Sequence, residues 1–354
     1  MLDPDVPLSP LPVPLSVLDL APVGAGSDSA HALRASLALV QETERLGYHR
    51  YWVAEHHNMP GIASSAPAVL IAHLASVTDR IRLGSGGVML PNHAPLVIAE
   101  QFGMLEALHP GRIDLGIGRA PGTDPRTAAA LRRTQSLGEP DLPEQLAELY
   151  GFFNGSFPPD HPYRGITAVP ARGNQPAIWL LGSSDYSARL AGELGLPFSF
   201  AHHFSAHNTL PALDVYRRAF RPSDVLERPY VMLGVAVLCA DTRERATYLS
   251  KPGDLAFLRL RSGRPGPFPS PEEAAAFNPT PHEKELLRSW SVSRIVGDPG
   301  SVAADLGGLL ERTGADELMV TTMVHGHDDR VHSYRLLADL AGLAPTDPQA
   351  VQAH

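Results

Sequence analysis

Short apolar runs alternate along the chain with segments whose apolar residues recur at helical spacing. Ile113, Leu115 and Ile117 alternate with small or polar residues, which is typical of a strand. Leu33 and Leu37 recur four residues apart, which is typical of one face of a helix. The predicted strands are Leu15–Leu20, Arg50–Glu55, Ile81–Val88, Arg112–Gly118, Ala177–Leu181, Phe198–Ala201, Tyr230–Cys239 and Glu317–Thr322. The predicted helices are Ala32–Leu46, Pro67–Val77, Pro95–Leu108, Pro143–Phe152, Ser187–Leu194, Thr209–Phe220, Ser301–Arg312 and Val331–Leu340.

Strands separated by helices favour parallel pairing, and a set of eight such units predicts a closed (β/α)8 barrel. One domain is expected over residues 15–345, after a flexible proline-rich leader at 1–14 and before a tail at 346–354. The rhythm breaks at about 250–290, a stretch rich in proline and glycine that follows the seventh strand. A connection of that length predicts either a lid over the site or disorder.

Composition excludes several classes of protein. Asp and Glu number 38 against 29 Lys and Arg, giving a net charge of −9, and no basic stripe offers a surface for nucleic acid. A single cysteine, Cys239, allows no internal disulfide and suits a reducing cytoplasm. No apolar run is long enough to span a membrane, and residues 1–14 lack the features of a signal peptide.

In a barrel of this kind the site is expected at the carboxyl ends of the strands. The second strand ends in Glu55, His56 and His57, and three polar residues there are costly unless they are paired or face a cleft. One interpretation places an imidazole over a bound ring, and the other is a hydrogen-bonded pair at the barrel end. A metal site is less favoured, because neighbours on a strand point to opposite faces and no third ligand is evident.

The third strand ends in Ser85, Gly86 and Gly87, small residues that allow a flat ligand to lie against the backbone. Tight packing of the barrel would also explain them. The fourth strand ends in a near match to a dinucleotide-binding fingerprint, but Pro121 replaces its third glycine and no helix follows directly. A dinucleotide site is therefore not predicted.

Arg119 follows the fourth strand, and Ser183 and Ser184 follow the fifth strand at the start of a helix. A guanidinium beside free helix amides and hydroxyl groups suits a phosphate. The alternatives are a surface ion pair for Arg119 and ordinary helix capping for the serines. His202 and His203 follow the sixth strand, and one of them could face the ligand.

Several segments together resemble the luciferase-like flavin monooxygenases, over roughly residues 15 to 345. These segments are Tyr51–His57, Leu83–Pro91, His109–Arg119 and Gly182–Ser184. The resemblance implies a (β/α)8 barrel that binds reduced FMN as a cosubstrate. It also implies that Arg119, Ser183, Ser184 and Ser187 hold the FMN phosphate, that Ser85, Gly86 and Gly87 pass beneath the isoalloxazine with a cis peptide at Gly86–Gly87, that Glu55, His56 and His57 form the active-site segment, and that 250–290 is the mobile lid.

The activity implied is oxidation of a small organic substrate by reduced FMN and O2, with His57 as the first candidate for proton transfer. A separate flavin reductase is expected to supply the reduced flavin, and the resemblance favours a homodimer through helices near the second and third units. Luciferases carry a reactive cysteine where this chain has Gly118, so light emission is not expected. The alternatives are a deazaflavin-dependent oxidoreductase on the same barrel, a flavin-binding protein without turnover, and a metal-dependent hydrolase.

Overall fold

A computed structural model describes residues 11–120, 122–132 and 142–344. Helices and strands alternate along most of this length. The strands are β1 (Leu15–Asp19), β2 (Arg50–Val53), β3 (Arg82–Ser85), β4 (Val88–Met89), β5 (Ile113–Gly118), β6 (Ala177–Gly182), β7 (Phe198–Phe200), β8 (Val231–Cys239), β9 (Arg294–Gly297) and β10 (Glu317–Thr321). The helices are α1 (Ser29–Arg45), α2 (Pro67–Ala75), α3 (Pro95–Leu108), α4 (Pro125–Arg132), α5 (Leu142–Asn154), α6 (Asp185–Glu193), α7 (Thr209–Ala219), α8 (Arg243–Arg261), α9 (Pro271–Ala276), α10 (Pro281–Ser291), α11 (Pro299–Thr313) and α12 (His327–Leu340).

The sheet closes on itself into a parallel barrel. The order β10-β1-β2-β3-β5-β6-β7-β8 is completed by the pairing of β10 with β8, where Glu317 lies opposite Met232. These are the eight strands predicted from the sequence, and the (β/α)8 barrel is confirmed. All of the ladders are parallel, so the carboxyl ends of the eight strands meet at one end, here called the open end.

Two short strands extend the ring. The third predicted strand is interrupted after Ser85, and β4 continues it beyond a cis peptide between Gly86 and Gly87, as the sequence analysis expected. β9 pairs with the carboxyl-terminal half of β8, where Arg294 lies opposite Ala236. β9 was not predicted, because a strand of four residues is too short to show a recognisable period.

The stretch 250–290 is largely helical. α8 continues through Pro252 to Arg261, and α9 and α10 follow it. A proline inside a helix costs one backbone hydrogen bond, and here burial of Leu249, Leu255 and Leu258 on the same helix offsets that cost. A capping box, in which Thr280 and Glu283 satisfy each other's backbone amides, starts α10.

Part of the expected leader is described, and it does not behave as a flexible segment. Of the leader expected at 1–14, the structure describes residues 11–14, and these pack on the barrel: Leu11 is buried in the core, and the Pro14 carbonyl accepts from the Leu318 amide. Residues 1–10 and the expected tail at 346–354 lie outside the described residues, as does Pro121.

Side chains alternate between the two faces of the strands. Leu15 and Val17 of β1 belong to the main core between sheet and helices, whereas Leu18 points into the barrel with Trp52 and Met319. The amino-terminal ends of the strands, here called the closed end, carry a buried ionic network. Arg50 Nη1 donates to Asp114 Oδ2 at 2.9 Å, Arg50 Nε donates to Glu317 Oε1 at 2.8 Å, and Arg82, Trp52, Ser16 and Tyr230 complete the set of donors.

Candidate active site

A cavity of about 350 Å³ occupies the open end of the barrel. Leu18, Trp52 and Met319 form its floor, and residues from the ends of most barrel strands form its wall. Within the described part of the chain, the lining includes two arginines and two histidines but no Asp, Glu or Lys. The chain as a whole is acidic, so the cavity is locally a favourable place for an anion.

The three polar residues after β2 point in different directions. Glu55 is fully buried outside the cavity lining, where its carboxylate accepts from His57 Nε2 at 2.9 Å, from His93 Nε2 at 2.8 Å and from the Met89 amide at 3.0 Å. Burial alone would raise the pKa of Glu55, but the hydrogen bonds from His93 and His57 outweigh burial and lower it. Glu55 is therefore ionised and fixes the segment that leads into β4.

His56, and not His57, lines the cavity. The sequence analysis preferred His57 for proton transfer, and in the structure the His57 ring is held against Glu55 and does not line the cavity. The sequence missed this because the chain leaves the sheet at Val53, after which strict alternation no longer fixes the direction of each side chain.

His56 shares the cavity with a second imidazole, His203. Burial lowers the pKa of His56 to about 4, and burial likewise lowers the pKa of His203 to about 4. His203 Nδ1 donates to the Gly234 carbonyl at 2.8 Å, which leaves Nε2 as an acceptor. His56 Nδ1 is sealed from solvent and has no hydrogen-bond partner among the described residues. Both imidazoles are neutral near pH 7.

The glycine-rich segment after β3 forms another side of the cavity. Gly86 and Gly87 line it, whereas Ser85 is buried outside the lining with its hydroxyl donating to the Gly116 carbonyl at 2.9 Å. A Cβ on Gly86 would lie 2.6 Å from the Leu18 side chain, and a Cβ on Gly87 would lie 2.8 Å from the Gly116 carbonyl oxygen. Packing therefore requires both glycines, and their bare backbone faces the cavity.

Arg119 and the start of α6 meet at the cavity mouth. Arg119 is exposed, lies 4.5 Å above the centre of the Tyr186 ring and makes no ion pair with any described residue. Ser184 is the residue before α6, and its side chain makes no capping bond. Ser183 and the buried Ser187 line the cavity beside it. Arg119 thus stands beside the free amides of a helix start, an arrangement that fits a phosphate group.

The structure brings together more residues than the sequence indicated. Arg294 and Trp290, from β9 and the end of α10, form the wall beside β8. Thr321 at the end of β10 also lines the cavity, and its hydroxyl is buried without a partner among the described residues. No sequence motif marks these three residues, which come to one wall because β8 pairs with both β9 and β10.

The described part of the chain offers neither a metal-binding cluster nor a membrane-spanning helix. Over residues 11–120, 122–132 and 142–344, no group of three or more His, Cys, Asp or Glu side chains could hold a metal ion. In the same part of the chain, no helix combines the length and apolar character needed to cross a bilayer. Cys239 is buried, and burial raises the pKa of its thiol to about 12.

Comparison with known proteins defines the class to which this barrel belongs. The family model described as luciferase-like monooxygenase matches residues 13–317, and the chain belongs to that family. The protein YvbT of Bacillus subtilis (strain 168) is 52% identical over 326 residues, covering 92% of this chain and 96% of that protein. A luciferase-like monooxygenase of Escherichia coli (strain K12) is 46% identical over 328 residues, covering 93% and 97%.

Solved structures share the architecture. Apo-MsnO8 superposes with a TM-score of 0.86 at 39% identity, covering 94% of this chain and 99% of that one. The FMN complex of the oxygenating constituent of 3,6-diketocamphane monooxygenase from Pseudomonas putida gives a TM-score of 0.70 at 19% identity, covering 95% and 100%. An F420-dependent secondary alcohol dehydrogenase gives 0.65 at 12% identity, covering 94% and 99%. The last two likenesses show the fold alone.

Proposed function

We propose that this protein is a flavin-dependent monooxygenase, which uses reduced FMN and O2 to oxidise a small organic substrate. One observation carries the proposal: a single cavity joins an unpaired arginine at a helix start, an edge of bare glycine backbone and a neutral histidine. Membership of the luciferase-like monooxygenase family supports the reaction class.

The residues present fit FMN. Arg119, Ser183, Ser184 and Ser187 would hold its phosphate, and Gly86 and Gly87 would border its ring system. When bound, reduced FMN supplies the electrons for activation of O2, and the protein supplies binding and orientation.

The proposed role of His56 is to hold or exchange a proton at the cavity. The ring lies in the wall as a neutral imidazole, which can donate from one nitrogen and accept at the other. Leu18, Trp52 and Met319 exclude water from the floor, so that polar groups in the cavity interact more strongly than they would in bulk solvent. The proposed role of Glu55 is indirect, because it positions His57 and the Met89 backbone without entering the cavity.

A separate reductase is proposed as the source of reduced flavin, since the one near match to a dinucleotide fingerprint ends in Pro121. A cytoplasmic location is proposed because a lone buried thiol suits a reducing compartment. A homodimer through α2 and α3 is also proposed. Its support is the exposure of Val69, Met104 and Leu108 on these helices, and sedimentation of a Leu108→Glu variant as a monomer beside a dimeric parent would test it.

Isotope incorporation tests the activity. The protein is loaded with reduced FMN without oxygen, mixed with a panel of thioethers, ketones and alkanals, and exposed to ¹⁸O2. The proposal expects one ¹⁸O atom in a product, its loss when FMN is omitted, and its retention in an Arg261→Gln variant altered on the surface far from the cavity lining. Oxidation of a substrate in the absence of O2 with a deazaflavin would overturn the proposal in favour of hydride transfer. Binding of FMN without turnover of any compound class would favour a flavin-binding role.

A further inference from the structure

The cavity has a second cationic position, separate from the mouth. Arg119 follows β5, whereas Arg294 lies on β9 beside β8, and β8 is three strands further round the barrel than β5. Both arginines line the cavity, and no acidic side chain of the described residues lines it with them. The phosphate end accounts for Arg119 and the start of α6 and leaves Arg294 without a role.

Neighbouring residues fix the Arg294 guanidinium in place. Its Nη2 donates to Asp254 Oδ1 at 2.6 Å, and its plane lies 3.7 Å from the centre of the Trp290 ring. Trp290 in turn stacks on Phe257, with ring centres 4.3 Å apart and planes 5° apart. The Arg294 side chain is 15% exposed, so the charge is largely withdrawn from water and held in one orientation.

Structural support uses only part of the guanidinium. Asp254 takes one hydrogen of Nη2 and Trp290 covers one face, while Nε is sealed from solvent with no partner among the described residues. Nη1 likewise makes no hydrogen bond with them, and it lies beside Gly253, which also lines the cavity. A largely buried cation with unpaired donors is costly unless an acceptor reaches it.

Apart from Arg294, the wall beside β8 is mostly apolar. Val237, Leu238 and Val296 line it, and Met319 and Met323 lie on the side of β10. A ligand that matches this wall has one anionic oxygen group and an otherwise apolar body. Among anionic groups, a carboxylate matches the planar fork of a guanidinium with two parallel hydrogen bonds.

We propose that Arg294 recognises a carboxylate on the substrate, so that the enzyme acts on small, largely apolar organic acids. This inference rests on the proposed function and specifies its substrate class. Asp254 is a positioning residue, because it orients the guanidinium and does not line the cavity. Trp290 also orients the guanidinium and forms part of the cavity wall. Binding of the acid gives Nη1, and the second hydrogen of Nη2, acceptors that the protein alone does not provide.

Calorimetry with matched ligands tests the inference. FMN-loaded protein is titrated with butanoate, hexanoate, benzoate and 3-phenylpropanoate, and with the neutral amide of each. At least one acid is expected to bind about tenfold or more tightly than its amide. Arg294→Gln should bring that ratio close to one without changing amide affinity, and Arg294→Lys should retain part of it. Arg259→Gln is the matched control. Arg259 on α8 also forms an ion pair, with Glu273 of α9, but it does not line the cavity.

Three outcomes overturn the inference. The first is that no acid in the series binds more tightly than its amide, including the case in which none binds. The second is that Arg294→Gln leaves the preference intact. The third is that Arg294→Gln weakens the binding of FMN as strongly as the binding of the acid. That result would assign Arg294 to the cofactor site, for FMN or for a longer-tailed deazaflavin. Preference for an acid in a protein that fails to bind FMN would contradict the proposed function while leaving the carboxylate site in place.

Discussion

The two ends of the barrel carry similar polar side chains, but they differ in how fully those side chains are paired within the protein. At the closed end, Arg50 is buried between Asp114 and Glu317, and each charge has a partner within the protein. At the open end, Arg119 has no ion pair within the described residues, and His56 Nδ1 has no hydrogen-bond partner there. The comparison teaches that donors left without an acceptor, more than residue type, distinguish a binding group from a structural charge.

The largest expected effect is at the open end. His56→Asn should lower the rate of substrate oxidation by roughly 10²–10⁴-fold, the usual contribution of a positioned proton-transfer group. Binding of FMN should change by about twofold or less, because the substitution leaves the phosphate end intact. Single-turnover rates with reduced FMN and O2 measure the first quantity, and fluorescence titration measures the second. His31→Asn, at an exposed residue of α1 outside the cavity lining, is the control. A rate unaffected by His56→Asn but abolished by His57→Asn would contradict the assignment.

At the closed end, loss of a charged partner should lower the free energy of unfolding. Glu317→Ala leaves Arg50 buried without one of its two partners, and breaking a buried pair typically costs about 3–5 kcal/mol in free energy of unfolding. Urea denaturation measures this loss. Glu285→Ala removes an exposed pair with Arg288 and should cost about 0.5 kcal/mol or less. Equal losses for the two variants would mean that the closed end is not a structural network.

Acidification should weaken the open end through its histidines. The unfolded chain takes up protons on His56 and His203 near pH 6.5, whereas the folded pKa values are about 4. The folded state therefore binds fewer protons in this window, and stability falls as pH decreases from about 6.5 to about 4. The slope is up to about 1.4 kcal/mol per pH unit for each histidine. Chemical denaturation across this range should show a shallower slope in His56→Gln, and an unchanged slope would contradict burial as the cause.

The smallest effect is expected at Tyr186. Its ring lies beneath the Arg119 guanidinium at an exposed position, and such contacts are worth about 0.5–1 kcal/mol. Tyr186→Leu should therefore weaken FMN binding by about twofold to fivefold through a less ordered Arg119. Tyr163→Leu, at an exposed residue outside the cavity lining, is the control. A loss of about 100-fold or more would mean that Tyr186 contacts the ligand directly.

Much of the barrel could be predicted from sequence because its strands are short apolar runs between amphipathic helices. The helix α8 could not, since Pro252 is a strong local signal against a helix and only tertiary burial overrides it. The capping residues Thr280 and Glu283 were a readable signal for α10.

Part of the candidate site could likewise be predicted from the sequence, and part could not. Arg119, Ser183, Ser184 and Ser187 lie beside one another because β5 and β6 are neighbours, an arrangement that strand order alone predicts. The choice between His56 and His57 depends on backbone direction beyond the end of β2, which no pattern records. Arg294 was missed altogether, because the pairing of β9 with β8 brings it to the cavity and no sequence pattern predicted β9.

The most direct test of the account compares FMN with riboflavin, which lacks the phosphate. Because both flavins carry the same ring, the ratio of their affinities measures how much Arg119 and the start of α6 contribute by binding the phosphate. Wild-type protein should favour FMN by about 10–100-fold, and Arg119→Gln should reduce the ratio toward one while riboflavin affinity and unfolding free energy stay constant. An equal affinity for the two flavins in the wild-type protein, or a ratio unchanged by Arg119→Gln, would contradict the central claim that the open end is a flavin phosphate site.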